Sequence, residues 1–313
     1  MRLVFLGSGE FAVPPLEHLC REAAAPLLVI TQPDRPAGRG RVLAAPAVKS
    51  ASLRLGLPVN QPVRLDTSEA IEPIRAAAPD FLVVVDYGQI LRRTLLALPR
   101  LAAVNLHGSL LPRWRGAAPV ARAILAGDLA SGVTTIRMDA GVDTGEILLR
   151  EEVAIAPRET AGELEARLAA VGARLLLATL RGLAGGTLSG RPQPADGATG
   201  APRLTVEEAE LDWGLPAEEL DRRVRGYNPR PVAWTRLDGA RLRIWRSRPV
   251  ADQAGEAGAA PGAVVRTSEG LVRIACGRGF LDLEELQFEG GRRLQARDVI
   301  NGRKIRAGQR LGA

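Results

Sequence analysis

Two cysteines, two histidines, two tyrosines and two lysines are all that 313 residues contain of those types. Cys20 and Cys276 lie far apart without a CxxC neighbour, so they build neither a disulfide framework nor a zinc ribbon, and two free, buried thiols are expected. His18 and His107 leave a metal site of the His/Cys kind short of ligands, so no metal is expected. No apolar run approaches the ~20 residues that span a bilayer. The opening MRLVFLGSGEF turns at Gly7 and Gly9 after a short apolar stretch, unlike a signal peptide, so the chain is read as cytoplasmic. What is present is ordinary for a globular protein: 46% hydrophobic and 25% charged residues. The length suits roughly two domains of about 150 residues.

Lysine is replaced by arginine at 40 of the 42 basic positions, the exceptions being Lys49 and Lys304. The net charge of +7 is uneven: residues 222–248 hold nine arginines against Asp238, and 292–310 hold seven basic residues against Asp298. Such runs suit a polyanion, although charge alone leaves a solvated basic face open.

Residues 2–6 form a short apolar run closed by Gly7-Ser8-Gly9, and Phe11, Val13, Leu16 and Leu19 follow at roughly helical spacing: strand, turn, helix. The turn lacks the third glycine of GxGxxG and no acid ends the next strand, so a dinucleotide site is not expected. Residues 27–31 read as a strand, 47–55 and 68–77 as helices. The run 81–85 (FLVVV) reads as a central parallel strand covered on both faces, 101–106 as a further strand and 117–125 as a helix. In the loop 32–41, Pro33, Pro36, Gly38 and Gly40 argue against regular structure. Alternating strands and helices to about residue 150 predict an α/β fold, a Rossmann-like doubly wound parallel sheet. The capping box Thr160-Ala-Gly-Glu163, with Leu164, Leu168, Val171 and Leu175 behind it, predicts a long amphipathic helix. A glycine- and proline-rich linker, 185–203, then separates a domain 1–184 from a domain 204–313. The latter shows a short helix at 217–225 and alternating runs at 232–237, 242–245, 263–267, 271–275 and 280–286, which predict a small OB-like β-barrel.

Parallel sheets place their working groups at the carboxyl ends of strands. Asn105 and His107 stand there at i and i+2, pointing to one side, and the loop 139–145 (DAGVDTG) brings a carboxylate, Asp143. Amide, imidazole and carboxylate suit acyl transfer: a donor for a developing oxyanion, an acid or base, and a group that orients it. A purely structural histidine stays open on spacing alone.

TQPDRPAGRG (31–40), NLHGSLLPRWRGAAP (105–119), DAGVDTG (139–145), EEAELDW (207–213) and YNPRPVAW (227–234) lie in this order across nearly the whole chain. Together they resemble the signatures of the methionyl-tRNA formyltransferase family. The resemblance implies transfer of a formyl group from 10-formyltetrahydrofolate to the amino group of methionyl initiator tRNA, in the cytoplasm, by a monomer. It implies catalysis by Asn105, His107 and Asp143. Ser109, Leu110, Leu111 and Pro112 would line the folate site, with main-chain contacts from Tyr87, Gly88, Gln89, Ile90 and Leu91. A basic loop with Arg35, Arg39 and Arg41 would approach the end of the tRNA, and Arg225, Arg303 and Lys304 would help to hold its backbone. One departure is Asp86, where the pattern has a small apolar residue; a buried carboxylate there needs a partner or solvent, and Arg115 is one candidate. Sugar-nucleotide formyltransferases and formyltetrahydrofolate hydrolases would share the trio, and a non-catalytic RNA-binding protein would keep the basic runs alone.

Overall fold

The apolar runs become strands in a computed structural model that describes residues 1–37, 42–251, 258–268 and 270–312. The chain begins β1 (Leu3–Gly7), α1 (Val13–Arg21), β2 (Leu28–Ile30), β3 (Arg35–Ala37), β4 (Val42–Ala44), α2 (Ala47–Arg54), β5 (Val59–Asn60), α3 (Ser68–Ala76), β6 (Phe81–Val85), α4 (Arg93–Leu96) and β7 (Ala102–His107). It continues with β8 (Arg115–Gly116), α5 (Pro119–Ala126), β9 (Ala130–Arg137), β10 (Glu146–Ala154), α6 (Ala161–Ala184) and β11 (Gly200–Ala201).

Seven of these strands make one sheet in the order β10-β9-β7-β6-β1-β2-β5. The five from β7 to β5 run parallel. β9 runs antiparallel to β7, and β10 antiparallel to β9, so the sheet is mixed rather than wholly parallel. The connection 138–145 is too short for the crossover that parallel pairing requires, and a hairpin is the remaining solution. Every residue of β1, β6 and β7 is buried, which is why β1, β6 and the first half of β7 are apolar without alternation. Val4, Leu6, Ile30, Leu82 and Val84 pack there with Ile74 of α3.

The loop 32–41 departs from expectation, because β3 and β4 pair as a short antiparallel ribbon, with Arg35 opposite Ala44 and Pro36 opposite Leu43. Pro36 is tolerated because a two-stranded ribbon has a free edge for the residue that cannot donate. Residues 38–41, and with them Arg39 and Arg41, lie outside the described residues.

Packing divides the chain into two compact units. The first comprises Met1–Pro119, Ala130–Ala154 and Glu165–Ala201; the second comprises Val120–Leu129, Ile155–Leu164 and Pro202–Ala313. In the second lie α7 (Ala217–Gly226), β12 (Trp234–Leu237), β13 (Ala240–Val250), β14 (Val264–Ser268), β15 (Leu271–Ala275), β16 (Phe280–Phe288), β17 (Arg293–Gln295) and α8 (Ala296–Asn301). Its antiparallel sheet has the order β12-β13-β16-β15-β14, with β17 on β16, over a core that includes Trp213, Leu220, Val224, Ile244, Leu281 and Leu283. The expected barrel is not formed among the described residues: the sheet stays open between β12 and β14. Single bridges from Leu311 to Leu237 and from Arg310 to Ala263 reach toward the two edges without adding a strand. The capping box is realised, with Glu163 accepting from Thr160 N at 2.9 Å and Thr160 Oγ1 accepting from Glu163 N at 3.3 Å. Cys20 and Cys276 are free, and no helix among the described residues is long and apolar enough to cross a membrane.

Candidate active site

β7 ends the apolar centre of the sheet with two polar residues on one face. Asn105 is paired in register with Val84 of β6 and Ile136 of β9, and His107 with Thr134. Both side chains are buried, at 8% and 6% exposure. The chain then enters 108–116, held by side chains from the flanking strand: Leu111 N donates to Thr134 Oγ1 at 3.1 Å, and Thr134 Oγ1 donates to Ser109 O at 2.6 Å.

Asp143 arrives from the β9–β10 connection and meets both residues. Asn105 Nδ2 donates to Asp143 Oδ1 at 3.2 Å, Gly116 N donates to Asp143 Oδ2 at 2.9 Å, and His107 Nδ1 lies 3.6 Å from Asp143 Oδ2. The last distance is that of an ion pair rather than a hydrogen bond. His107 Nε2 stands 2.8 Å from Trp114 O. A carbonyl oxygen only accepts, so Nε2 carries a proton; a second proton on Nδ1 would face the carboxylate. The amide of Asn105 spends one N–H on Asp143 and keeps the other.

The carboxylate is held in place by its own loop. Asp143 sits at φ 53°, a left-handed conformation uncommon outside glycine. Asp139 Oδ1 accepts from Gly141 N at 3.0 Å and from Thr144 Oγ1 at 2.7 Å. Gly145 is required, because a side chain there would collide with Arg137 O. The segment 185–203, expected to be a linker, supplies two further supports. Gln193 Nε2 donates to the carbonyls of Asp143 and Gly145, both at 2.8 Å, and Arg115 donates to Gln193 Oε1 at 3.0 and 2.7 Å. Thr199 Oγ1 accepts from Trp114 N at 2.9 Å. Nothing in the sequence flags Gln193 or Thr199, which sit among glycines and prolines and acquire their partners only on folding.

Arg115 is therefore not the partner of Asp86. That carboxylate follows β6 at φ 47°, exposed, with no cation beside it among the described residues. Local crowding by protein still raises its carboxyl above the ordinary value. Its Oδ2 occupies the space that a side chain at Gly9 would need.

Of the residues assigned to a folate, Ser109 and Leu111 are fully buried. Ser109 Oγ donates to Arg113 O at 2.6 Å, so it braces the loop. Tyr87 is buried in the core, its hydroxyl pushed up to about 12 by burial. Gln89 turns its side chain back to Leu65 N at 3.0 Å and Val63 O at 3.3 Å. Leu110 and Pro112 are half-buried and Ile90 is 74% exposed. The main-chain N–H groups of Gln89 and Ile90 have no protein partner among the described residues. Free backbone donors beside exposed apolar surface fit the edge and face of a flat heterocycle.

The basic candidates separate as well. Arg35 is exposed and donates to Gln32 Oε1 at 3.2 Å. Arg225 is committed to Asp221 Oδ2 at 2.7 Å and to Glu159 O at 3.3 Å, so it braces the second unit instead of facing solvent. Arg303 and Lys304 are exposed, Lys304 lying over the Phe288 ring at 5.2 Å.

Residues 1–180 match the Formyl transferase family model, and 203–304 match that of the Formyl transferase C-terminal domain. The methionyl-tRNA formyltransferase of Halorhodospira halophila is 49% identical over 308 residues, covering 98% of each chain. That of Thiobacillus denitrificans is 48% identical over 313 residues and 100% of both. Among solved structures, the sugar 3N-formyltransferase WlaRD, determined with dTDP and 5-N-formyl-THF, superposes with a TM-score of 0.66 at 17% identity, over 93% of this chain and 99% of that one. HypX from Aquifex aeolicus in complex with tetrahydrofolic acid gives 0.66 at 16%, over 96% and 47%.

Proposed function

The chain belongs to the methionyl-tRNA formyltransferase family, and on that premise we propose that Asn105, His107 and Asp143 carry out its formyl transfer. The reaction moves a formyl group from 10-formyltetrahydrofolate to the amino group of methionyl initiator tRNA, giving the formylated species used to start translation. The bound donor supplies an electrophilic one-carbon unit. Attack by the amine puts negative charge on the formyl oxygen and positive charge on the nitrogen. The spare Nδ2 proton of Asn105 answers the first charge. His107 answers it as an imidazolium. As the oxygen becomes a stronger acceptor than a neutral carbonyl, the Nε2 proton has reason to leave Trp114 O for it. Asp143, which faces the ring, receives the amine proton directly or through water; collapse of the adduct then restores the carbonyl and breaks the bond from the formyl carbon to N10 of the donor, which takes up a proton and leaves as tetrahydrofolate.

The observation that carries this reading is the meeting of three side chains distant in sequence, at 3.2 and 3.6 Å. In the same reading, Leu110, Pro112, Ile90 and the main chain of 87–91 hold the donor. Arg35, Arg39 and Arg41 meet the acceptor end of the tRNA, and Arg303 and Lys304 hold its backbone from the domain 204–313. The protein works as a cytoplasmic monomer.

The test is to supply 10-formyltetrahydrofolate and methionyl initiator tRNA and to measure formylmethionine after deacylation, with free formate as a control. Formate without tRNA would point to a hydrolase, and tRNA binding without either product to a binding protein. His107→Ala should lower kcat by about 10²–10⁴ with tRNA affinity nearly unchanged; parallel loss of both would remove His107 from the chemistry.

A further inference from the structure

The β3–β4 ribbon stands on a polar knot that the chemistry above does not use. Asp34, just before β3, accepts from Lys49 Nζ on α2 at 2.8 and 2.7 Å, and from Gln61 Nε2, just past β5, at 2.7 Å. The same Gln61 nitrogen donates to Gln32 O at 2.8 Å, and Gln32 N donates to Ser8 Oγ at 3.1 Å. The base of the ribbon is thereby tied to α2, to the end of β5 and to the turn after β1. The Gln61 amide, and after it the Lys49 ammonium, hold the Asp34 carboxyl below its ordinary value, so the knot is built on the charged form.

The residue type at position 49 adds a second observation. In a chain where 40 of 42 basic residues are arginine, this one is lysine. An ammonium is a compact donor that sits astride both Asp34 oxygens and leaves Oδ1 open to Gln61. A guanidinium engages a carboxylate along its edge through two parallel bonds, and would take the place of Gln61. The two side chains are 23% and 32% exposed, so the pair adds little to global stability. Its effect is local geometry.

We propose that Lys49 is a positioning residue for the acceptor substrate: through Asp34 and Gln61 it fixes the base of the β3–β4 ribbon, so that Arg35 meets an anionic RNA end in one preset orientation. The inference rests on assigning this ribbon to the tRNA.

The test compares the wild-type chain with Lys49→Met, Lys49→Arg and Asp34→Asn. Lys49→Met and Asp34→Asn should raise KM for methionyl-tRNA by about tenfold, with kcat at saturating tRNA and KM for 10-formyltetrahydrofolate within roughly twofold. Lys49→Arg should recover less than half of that loss; full recovery would overturn the requirement for an ammonium. Amide hydrogen exchange, read without substrates, should speed up by about tenfold at 35–37 and 42–44 in Lys49→Met while β1 and β6 stay unchanged. An unchanged tRNA KM, unchanged exchange in the ribbon, or a uniform loss against both substrates with faster exchange throughout would overturn the proposal. A wild-type chain that fails to formylate methionyl-tRNA, with the ribbon still loosened in Lys49→Met, would strike the functional reading alone.

Discussion

Asp143 and Asp282 are both acids set beside nitrogen cations or potential cations, and they are satisfied to different degrees. Asp282, 0% exposed on β16, receives Arg273 through Nε at 2.7 Å and Nη2 at 3.0 Å, with Arg248 Nη2 at 3.6 Å. A guanidinium keeps its charge at any accessible pH, so this arrangement has one state. Asp143 is 16% exposed on an irregular loop and faces an imidazole at 3.6 Å, a partner able to gain or lose its proton, beside an amide with one N–H to spare. A saturated pair holds a fold; an unsaturated one leaves capacity for a substrate.

The sharpest way to break the contrast is to remove Asp282. Asp282→Ala leaves Arg273 buried without its partner and should cost about 3–5 kcal/mol in urea unfolding, with kcat per folded molecule unchanged. A loss of turnover without a loss of stability would show that the two acids are not opposites. Asn105→Ala should do the converse, lowering kcat by about 10²–10³ while stability changes little, since it removes a donor aimed at developing charge.

A second contrast runs between the two basic segments, which look alike in the sequence. Five of the nine arginines in 222–248 are paired with carboxylates that lie outside that run: Arg223 with Glu219, Arg225 with Asp221, Arg236 with Glu210, Arg246 with Glu163 and Arg248 with Asp282. In 292–310 the carboxylate beside a cation among the described residues is Asp298, next to Arg297 at 3.8 Å and within the run itself. The second run keeps the charge that a polyanion would meet. Arg303→Ala and Lys304→Ala should each lower the salt slope of tRNA binding by about one. Arg246→Ala, removing an exposed pair, should leave that slope nearly unchanged and cost at most about 1 kcal/mol of stability. Equal slopes for all three variants would erase the distinction between the runs.

How much of this was legible beforehand differs by element. The strands at 81–85 and 102–107 and the helix from Ala161 were readable because burial on both faces, or on one stripe, writes itself into the run of apolar residues. The trio Asn105, His107 and Asp143 was nameable from strand ends and glycine loops, and more firmly from family resemblance. The open C-terminal sheet was not, because alternation reports which face of a strand is covered and says nothing about whether the edges meet. Gln193, half-buried behind Asp143, lies in a segment whose composition reads as linker, since a single amide among prolines carries no local signal.

Composition and periodicity by themselves determined the central strands and the long helix, the dearth of metal ligands and the position of the acid, amide and imidazole along the chain, because these depend on neighbours within a few residues. Only the tertiary structure decided which charges cancel, which carboxylate meets an amide and an imidazole, and which lysine pairs with Asp34. Those outcomes depend on distances of a few ångströms between residues far apart along the chain, such as Arg246 and Glu163 at 83 positions, and electrostatic and hydrogen-bond energies are set at that range.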